Sequence, residues 1–400
     1  MRRRGASVLG QGPRRNRVLA RYDWFLIGVG LFLIMTGLVM VASSSVTVAD
    51  RVYGDPLHYF WRQGFSVLVG LALAWAVTRT PLALWQKLGP WLLAGGIGLL
   101  IVVLLPGIGR EVNGSMRWIH IGPVNIQGSE IMKLFVLIYV AGYLVRHGEA
   151  VCTTFSGFIR PIAVVTLIAG LLLLEPDYGA AVVIFATVLG MLFVGGVPLT
   201  RFFAWMAAAS VVLFSLAVFS PYRLQRLTSF LDPWQDPFNT GFQLTQALIA
   251  FGRGDWFGVG LGSSVQKMFY LPEAHTDFIF AVMAEELGLI GVALIILLFL
   301  FLVWRAFVIA RLAQQQEKPF AAYLAYGIGL LFGLQSFINM GVNMGVLPTK
   351  GLTLPLLSYG NNSMVISCIL LALLVRVEFE NHEPSLRPIP DTGVRYAVQP

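Results

Sequence analysis

Seven long stretches without a charged residue constrain this chain more than any other feature: residues 24–46, 88–105, 179–200, 202–222, 287–304, 319–349 and 351–375. Each reaches the roughly 18 to 20 apolar residues that span the hydrocarbon core of a bilayer. Three further runs, residues 61–77, 129–145 and 155–174, are shorter or carry a charge. The expected fold is therefore an all-α polytopic membrane protein of about ten transmembrane helices. Composition agrees, because 57% of the 400 residues are hydrophobic and only 12% charged, outside the usual range of soluble domains.

Basic residues set the expected orientation. Arg2, Arg3, Arg4, Arg14, Arg15, Arg17 and Arg21 precede the first acidic residue, Asp23, so the positive-inside rule puts the N-terminus in the cytoplasm. With ten spans, the connections bearing Arg79 and Lys87, Arg146 and Arg160, Arg201, and Arg305, Arg311 and Lys318 fall on the same side, together with the C-terminal tail. The net charge of +8 is then explained by orientation and contact with anionic lipid, not by nucleic acid, for which no motif is present. Cys152 and Cys368 are not placed to form a disulfide. The division expected is a basic arm over residues 1–22, one membrane domain over 23–378 and a tail over 379–400.

On the opposite side lie three polar connections. Residues 106–128 carry Arg110, Glu111, Asn113, Arg117 and His120. The longest, residues 220–276 between the seventh and eighth spans, holds Arg223, Arg226, Asp232, Asp236, Arg253, Asp255, Lys267, Glu273 and His275. A third, around residues 347–359, has Lys350 among Pro348, Gly351 and Pro355. Within the long loop, residues 241–251 read as a short helix, either interfacial or packed on the bundle, and the glycines from Gly252 to Gly262 as tight turns.

The chemistry concentrates in LPEAHTDFIFAVMAEE, residues 271–286. Thr276 is placed to cap a helix with Asp277 in its first turn. There a partly desolvated carboxylate suits proton abstraction. Glu285 and Glu286 lie deeper on the same helix, with Glu285 the expected neighbour of the Asp277 cavity and Glu286 the partner of another helix. Glu130 and Lys133, three residues apart, form an intramembrane pair, with Lys133 a candidate phosphate ligand. Arg110, Arg117 and Lys267 are cations suited to a pyrophosphate. Glu273, His275 and Ser358 are further candidate substrate contacts. The turn Glu175-Pro176-Asp177-Tyr178 reads as structural, and no HxH or HExxH spacing signals a metal site.

Several long motifs occur in one order: GSMRWIHIGPVNIQGSEIMK (114–133), EPDYGA (175–180), GVGLGSSVQKMFYLPEAHTDFIFAVMAEELG (258–288) and NMGVLPTKGLTLPLLSYG (339–360). Together they resemble the SEDS family of shape, elongation, division and sporulation proteins over almost the whole membrane region, and its division branch more than its elongation branch. The resemblance implies a peptidoglycan glycosyltransferase of the bacterial inner membrane that polymerises lipid II at the outer face, with undecaprenyl pyrophosphate as leaving group. It also implies a class B penicillin-binding protein of the FtsI type and other divisome membrane proteins as partners, and Asp277 as the essential acid. A divalent cation, Mg or Mn, is conceivable at the pyrophosphate. Two other roles compete, a lipid II flippase and a non-catalytic scaffold. The chain departs from the family at Gly128, where proline is usual, and at Asn361-Asn362, in place of Gly-Ser; the first loosens the turn before its helix.

Overall fold

A computed structural model describes residues 22–107, 109–112, 115–121, 124–218 and 229–382. Among them are eleven helices: α1 Trp24–Tyr53, α2 His58–Arg79, α3 Leu82–Val103, α4 Gly128–Thr153, α5 Phe155–Leu174, α6 Tyr178–Val194, α7 Leu199–Val218, α8 Phe242–Gly254, α9 Ile279–Gln315, α10 Pro319–Asn343 and α11 Asn361–Asn381. Eight (α1 to α5 and α9 to α11) are long and apolar enough to cross a membrane, and α6 and α7 are apolar but shorter in their described parts. Between α3 and α4 lies an antiparallel sheet of β1 Gly109–Val112, β2 Ser115–Ile121 and β3 Val124–Gln127.

Local chemistry sets several helix ends. Asp23 caps α1 by accepting from the amides of Phe25 and Leu26 at 3.1 and 3.0 Å, and Gly54 closes it in the left-handed conformation at φ 67°. Thr154 and Asp177 cap α5 and α6 in the same way, and Pro319 opens α10, where a missing N–H costs nothing. Most of the apolar stretch of α4, α10 and α11 is buried, whereas less than a third of that of α2, α3 and α9 is. The core therefore runs between α4, α10 and α11, with α2 lying along α11, α3 along α4 and α9 along α10. Arg305 on α9 bridges Asp23 and Glu378, joining three helices at one end of the bundle.

Three apolar runs end differently from the sequence expectation. The run 319–349 stops being helical at Asn343, and the run 351–375 becomes helical only at Asn361. Between them, Pro348 and Pro355 lack the N–H that a helix needs, and Gly345 and Leu356 take positive φ values of 71° and 65°. The intervening segment is therefore an irregular plug. The run 287–304 is instead part of a helix that starts at Ile279 and is broken at Gly288, with φ 67° and ψ −170°.

That break is filled by the long loop. The amides of Leu289 and Ile290 donate to the carbonyls of Asp255 and Trp256, and those of Val259 and Gly260 donate to Glu285 and Glu286. Backbone groups freed by the break are thus paired within the protein, a requirement at membrane depth. Only glycine fits there: a β-carbon on Gly258, at φ 78°, would lie 2.2 Å from the Glu286 carbonyl oxygen. The segment 241–251 belongs to α8, whose buried face includes Leu244, Ala247 and Ala250 and packs on α9 and α10. The expected loop 106–128 contains the sheet, a signal carried by Trp118, Ile119 and Ile121 between glycines.

Both departures from the family pattern have visible surroundings. Gly128 opens α4, and a β-carbon there would sit 3.0 Å from Leu100 Cδ2. Asn362, in the first turn of α11, donates from Nδ2 to the Asn125 carbonyl at 2.7 Å, tying β3 to that helix.

Candidate active site around Asp277

Asp277 does not lie in the first turn of a helix. Residues 271–278 form consecutive turns, α9 begins two residues later, and Thr276 turns back to donate its hydroxyl to Glu273 Oε2 at 2.7 Å instead of capping. The residue is half-buried, and its carboxylate is covered on one side by the plug, since a β-carbon on Gly351 would come within 2.9 Å of Asp277 Oδ2. Its backbone is held from α10. Asn339 Nδ2 and Asn343 Nδ2 both donate to the Asp277 carbonyl, at 3.0 and 2.9 Å.

Three other segments close around this point. Gly179, at the start of α6, packs on Leu352 and on the Gly351 carbonyl, to which a β-carbon would be 3.1 Å. Lys350 Nζ lies 5.7 Å from the centre of the Tyr178 ring. Arg117 on β2 reaches across to the α5–α6 turn, donating from Nε to the Glu175 carbonyl at 3.2 Å and from Nη2 to the Pro176 carbonyl. Arg117, a candidate pyrophosphate ligand from sequence, uses two of its donors here to staple the sheet to this turn. Arg110 lies on β1, and its side chain falls outside the described residues, as do Arg223 and Arg226.

Glu175 is fully buried, and neither carboxyl oxygen has a hydrogen-bond partner among the described residues. Burial, reinforced by the neighbouring Asp177 and opposed by Arg117, pushes its pKa up from 4.5 to about 8. A carboxyl whose folded pKa is raised binds its proton more tightly in the native state, so its contribution is full below pH 4.5 and is lost as pH rises toward 8. Over that window stability should fall by about 1.4 kcal/mol per pH unit from this group. Glu175→Gln, which keeps the shape and removes the titration, should leave the unfolding temperature in detergent unchanged at pH 5 and raise it at pH 8. An equal effect at both pH values would refute a buried neutral Glu175.

Behind the plug, Lys133 Nζ lies 2.8 Å from both oxygens of Glu130 and donates to Gln335 Oε1 at 3.0 Å. Gln335 Nε2 in turn donates to the Thr353 carbonyl at 2.9 Å. Glu130, Lys133 and Gln335 line a small cavity with Pro355, Ile366 and Ser367. The ring of His275 is packed with Tyr59 and Tyr359, at 4.6 and 5.5 Å between centroids, and burial shifts its pKa down despite the opposing Glu273. Its carbonyl accepts from the Tyr359 amide at 2.9 Å, joining the Asp277 segment to the plug. Glu273 is exposed, at φ 55°.

Three of the residues singled out from sequence have partners within the protein. Ser358 is buried and its hydroxyl accepts from the Leu354 amide at 2.8 Å, closing a turn in the plug, while its carbonyl accepts from Gln63 Nε2. Lys267 is buried too, with Nζ 2.8 Å from Glu286 Oε1 and 3.0 Å from Ser43 Oγ of α1. Glu285 points into the long loop and not toward Asp277. It accepts from the Ser264 hydroxyl and from the amides of Val265 and Gln266, and pairs with Arg253 at 3.3 Å. In each case a buried polar group has been given partners because leaving it unpaired would be costly.

Residues 23–383 match the cell cycle protein family that groups FtsW, RodA and SpoVE. The chain belongs to this family. It is 56% identical to the probable peptidoglycan glycosyltransferase FtsW of Nitrosococcus halophilus, covering 91% of this chain and 94% of that protein. With the protein of the same description from Legionella pneumophila it shares 53% identity, over 95% and 97% of the two chains. Among solved structures, a chain of a peptidoglycan synthase complex that coordinates polymerization and crosslinking superposes with a TM-score of 0.74 at 29% identity, covering 91% and 99%. The rod shape determining protein RodA of Thermus thermophilus superposes with 0.67 at 27% identity, covering 91% and 98%.

For this member of the family, residue-by-residue reading missed Gln335, Asn339 and Asn343, which hold the Asp277 segment and the plug. Their signal was present: three amides at i, i+4 and i+8 share one face of an otherwise apolar helix. Gln63 and Lys350 were also missed as contributors. Nothing in their local sequence shows that α2 reaches the plug or that Lys350 meets Tyr178.

Proposed function

We propose that this chain is a peptidoglycan glycosyltransferase that polymerises lipid II at the outer face of the bacterial inner membrane during division, together with a class B penicillin-binding protein. The observation that carries the reading is half-buried Asp277, its carboxylate against Gly351 and its backbone fixed from α10. The relatives' descriptions support the reaction class, and the basic N-terminal arm supports the orientation.

In this reading Asp277 takes the proton from the 4-hydroxyl of the acceptor sugar as that oxygen attacks the anomeric carbon of the donor. The new glycosidic bond forms, the bond between the anomeric carbon and the phosphate oxygen breaks, and undecaprenyl pyrophosphate leaves with the electron pair. Asp277 then returns its proton to water. Lys350, one residue from Gly351, supplies positive charge where the leaving group's charge develops. Among the described residues no group of three or more His, Cys, Asp or Glu is placed to hold a metal ion, and no step here runs through one.

The test is lipid II polymerisation by the purified protein in complex with its cognate class B penicillin-binding protein, the partner's catalytic serine removed. Glycan ladders are the expected result. Their absence under every condition, with both proteins folded and associated, would overturn the proposal in favour of a flippase or a scaffold.

A further inference from the structure

Gln335, Asn339 and Asn343 form a ladder of side-chain amides along one face of α10, and each is buried. Asn343 Nδ2 donates to the carbonyls of Asp277 and Asn339, at 2.9 and 2.8 Å, while its Oδ1 accepts from the Ala281 amide at 3.0 Å. Asn339 Nδ2 donates to the carbonyls of Asp277 and Leu352. Gln335 spans from Thr353 of the plug to Lys133. One helix face therefore holds Asp277, two residues before α9, the segment covering its carboxylate, and the Glu130–Lys133 pair.

The orientation of Asn339 is fixed chemically. Its two N–H donors each meet a carbonyl, and turning the amide over would set Oδ1 against both. Among the described residues Asn339 Oδ1 is buried without a partner, a cost of about 1 to 3 kcal/mol for an unmade bond. Helix packing alone does not call for that cost, since an aliphatic side chain would fill the space without it. Asn343, by contrast, is satisfied through both ends and reaches the first turns of α9 as well.

We infer that Asn339 and Asn343 are positioning residues that fix the height of Asp277 beneath Gly351, and so the geometry of proton abstraction. The inference rests on the reading of Asp277 as general base. Neither residue touches the carboxylate; they act on its backbone and on the Leu352 carbonyl, setting the two sides of the site relative to each other. A displacement of the order of 1 Å at a reacting group lowers the rate by about 100-fold without removing substrate binding.

The experiment measures lipid II polymerisation by the complex with Asn339→Ala, Asn343→Ala and the milder Asn343→Ser, each alone and in an Asp277→Asn background. Single variants are expected to lower kcat by about 10- to 100-fold, to keep KM within about threefold, and to move the acid limb of the kcat–pH profile. In the Asp277→Asn background they should cause no further loss, because the group they position is gone. Wild-type kcat in the single variants, a KM effect alone, an unmoved acid limb, or an equal further loss in the Asp277→Asn background would overturn the inference while leaving Asp277 as the base. If Asp277→Asn by itself polymerises normally, the reading of Asp277 fails and the inference with it. Should an alanine variant not fold, Asn343→Ser, which retains a donor, decides between the same outcomes.

Discussion

Asp277→Asn is expected to lower the rate of lipid II polymerisation by about 10²- to 10⁴-fold, the usual contribution of a positioned general base. Asparagine has nearly the same shape, so the contact with Gly351 is retained. The bonds from Asn339 and Asn343 go to the Asp277 backbone carbonyl and survive the change. The variant should therefore fold, bind its partner and bind lipid II with little change in KM, while kcat collapses. Glycan ladders from wild type and Asp277→Asn, compared in the complex with an inactivated crosslinking partner, give the measurement. Equal ladders would remove Asp277 from the chemistry.

Lys267→Met is expected to destabilise the fold by about 3 to 5 kcal/mol, the usual cost of removing one partner of a buried ion pair. Glu286 would keep its bonds from the Ser43 hydroxyl and, at 3.4 Å, the Ser264 amide, but would lose its only cation among the described residues, in a site where its own side chain is fully buried. Changing both residues together, Lys267→Met with Glu286→Gln, should cost much less, because no uncompensated charge remains. Thermal unfolding in detergent reads both. If instead Lys267→Met leaves stability unchanged and raises KM for lipid II, Lys267 is the pyrophosphate ligand first expected from its sequence position.

Much of this architecture is legible in the order of residues. Charge-free runs long enough to span a bilayer mark most of the helices, because in hydrocarbon only an internally bonded helix satisfies its backbone. Asp23, Thr154, Asp177 and Pro319 mark helix starts through chemistry confined to one turn. The motif around Asp277 is legible because polar residues at the mouth of a long apolar helix need a reason to be there. Less legible were the helix boundaries near Gly288 and between Asn343 and Asn361. There the apolar character continues unbroken while the backbone leaves the helix, and hydrophobicity is silent on backbone geometry.

The assignment of charges divides in the same way. From sequence, Lys267 and Arg117 read as cations in the outer connections and Glu285 as an acid deeper on a helix beside Asp277. Their partners, Glu286 and Ser43, the carbonyls of Glu175 and Pro176, and the amides of Val265 and Gln266, lie from 19 to 224 residues away. Whether a cation is available to a phosphate or neutralised by a buried acid depends on those distant partners. The same holds for Glu175, whose raised pKa comes from burial among segments that its short turn does not reveal.

The sequence by itself determined that this chain is a bundle of apolar helices, which family it resembles, and which acid stands at the mouth of a helix, since those follow from periodicity, composition and local motifs. Only the tertiary structure decided that Asp277 precedes its helix instead of lying within it, that the Pro348–Pro355 segment covers it, and that three amides of α10 hold both. Hydrogen bonds between segments dozens of residues apart form only once the helices have packed, and no local pattern encodes their partners.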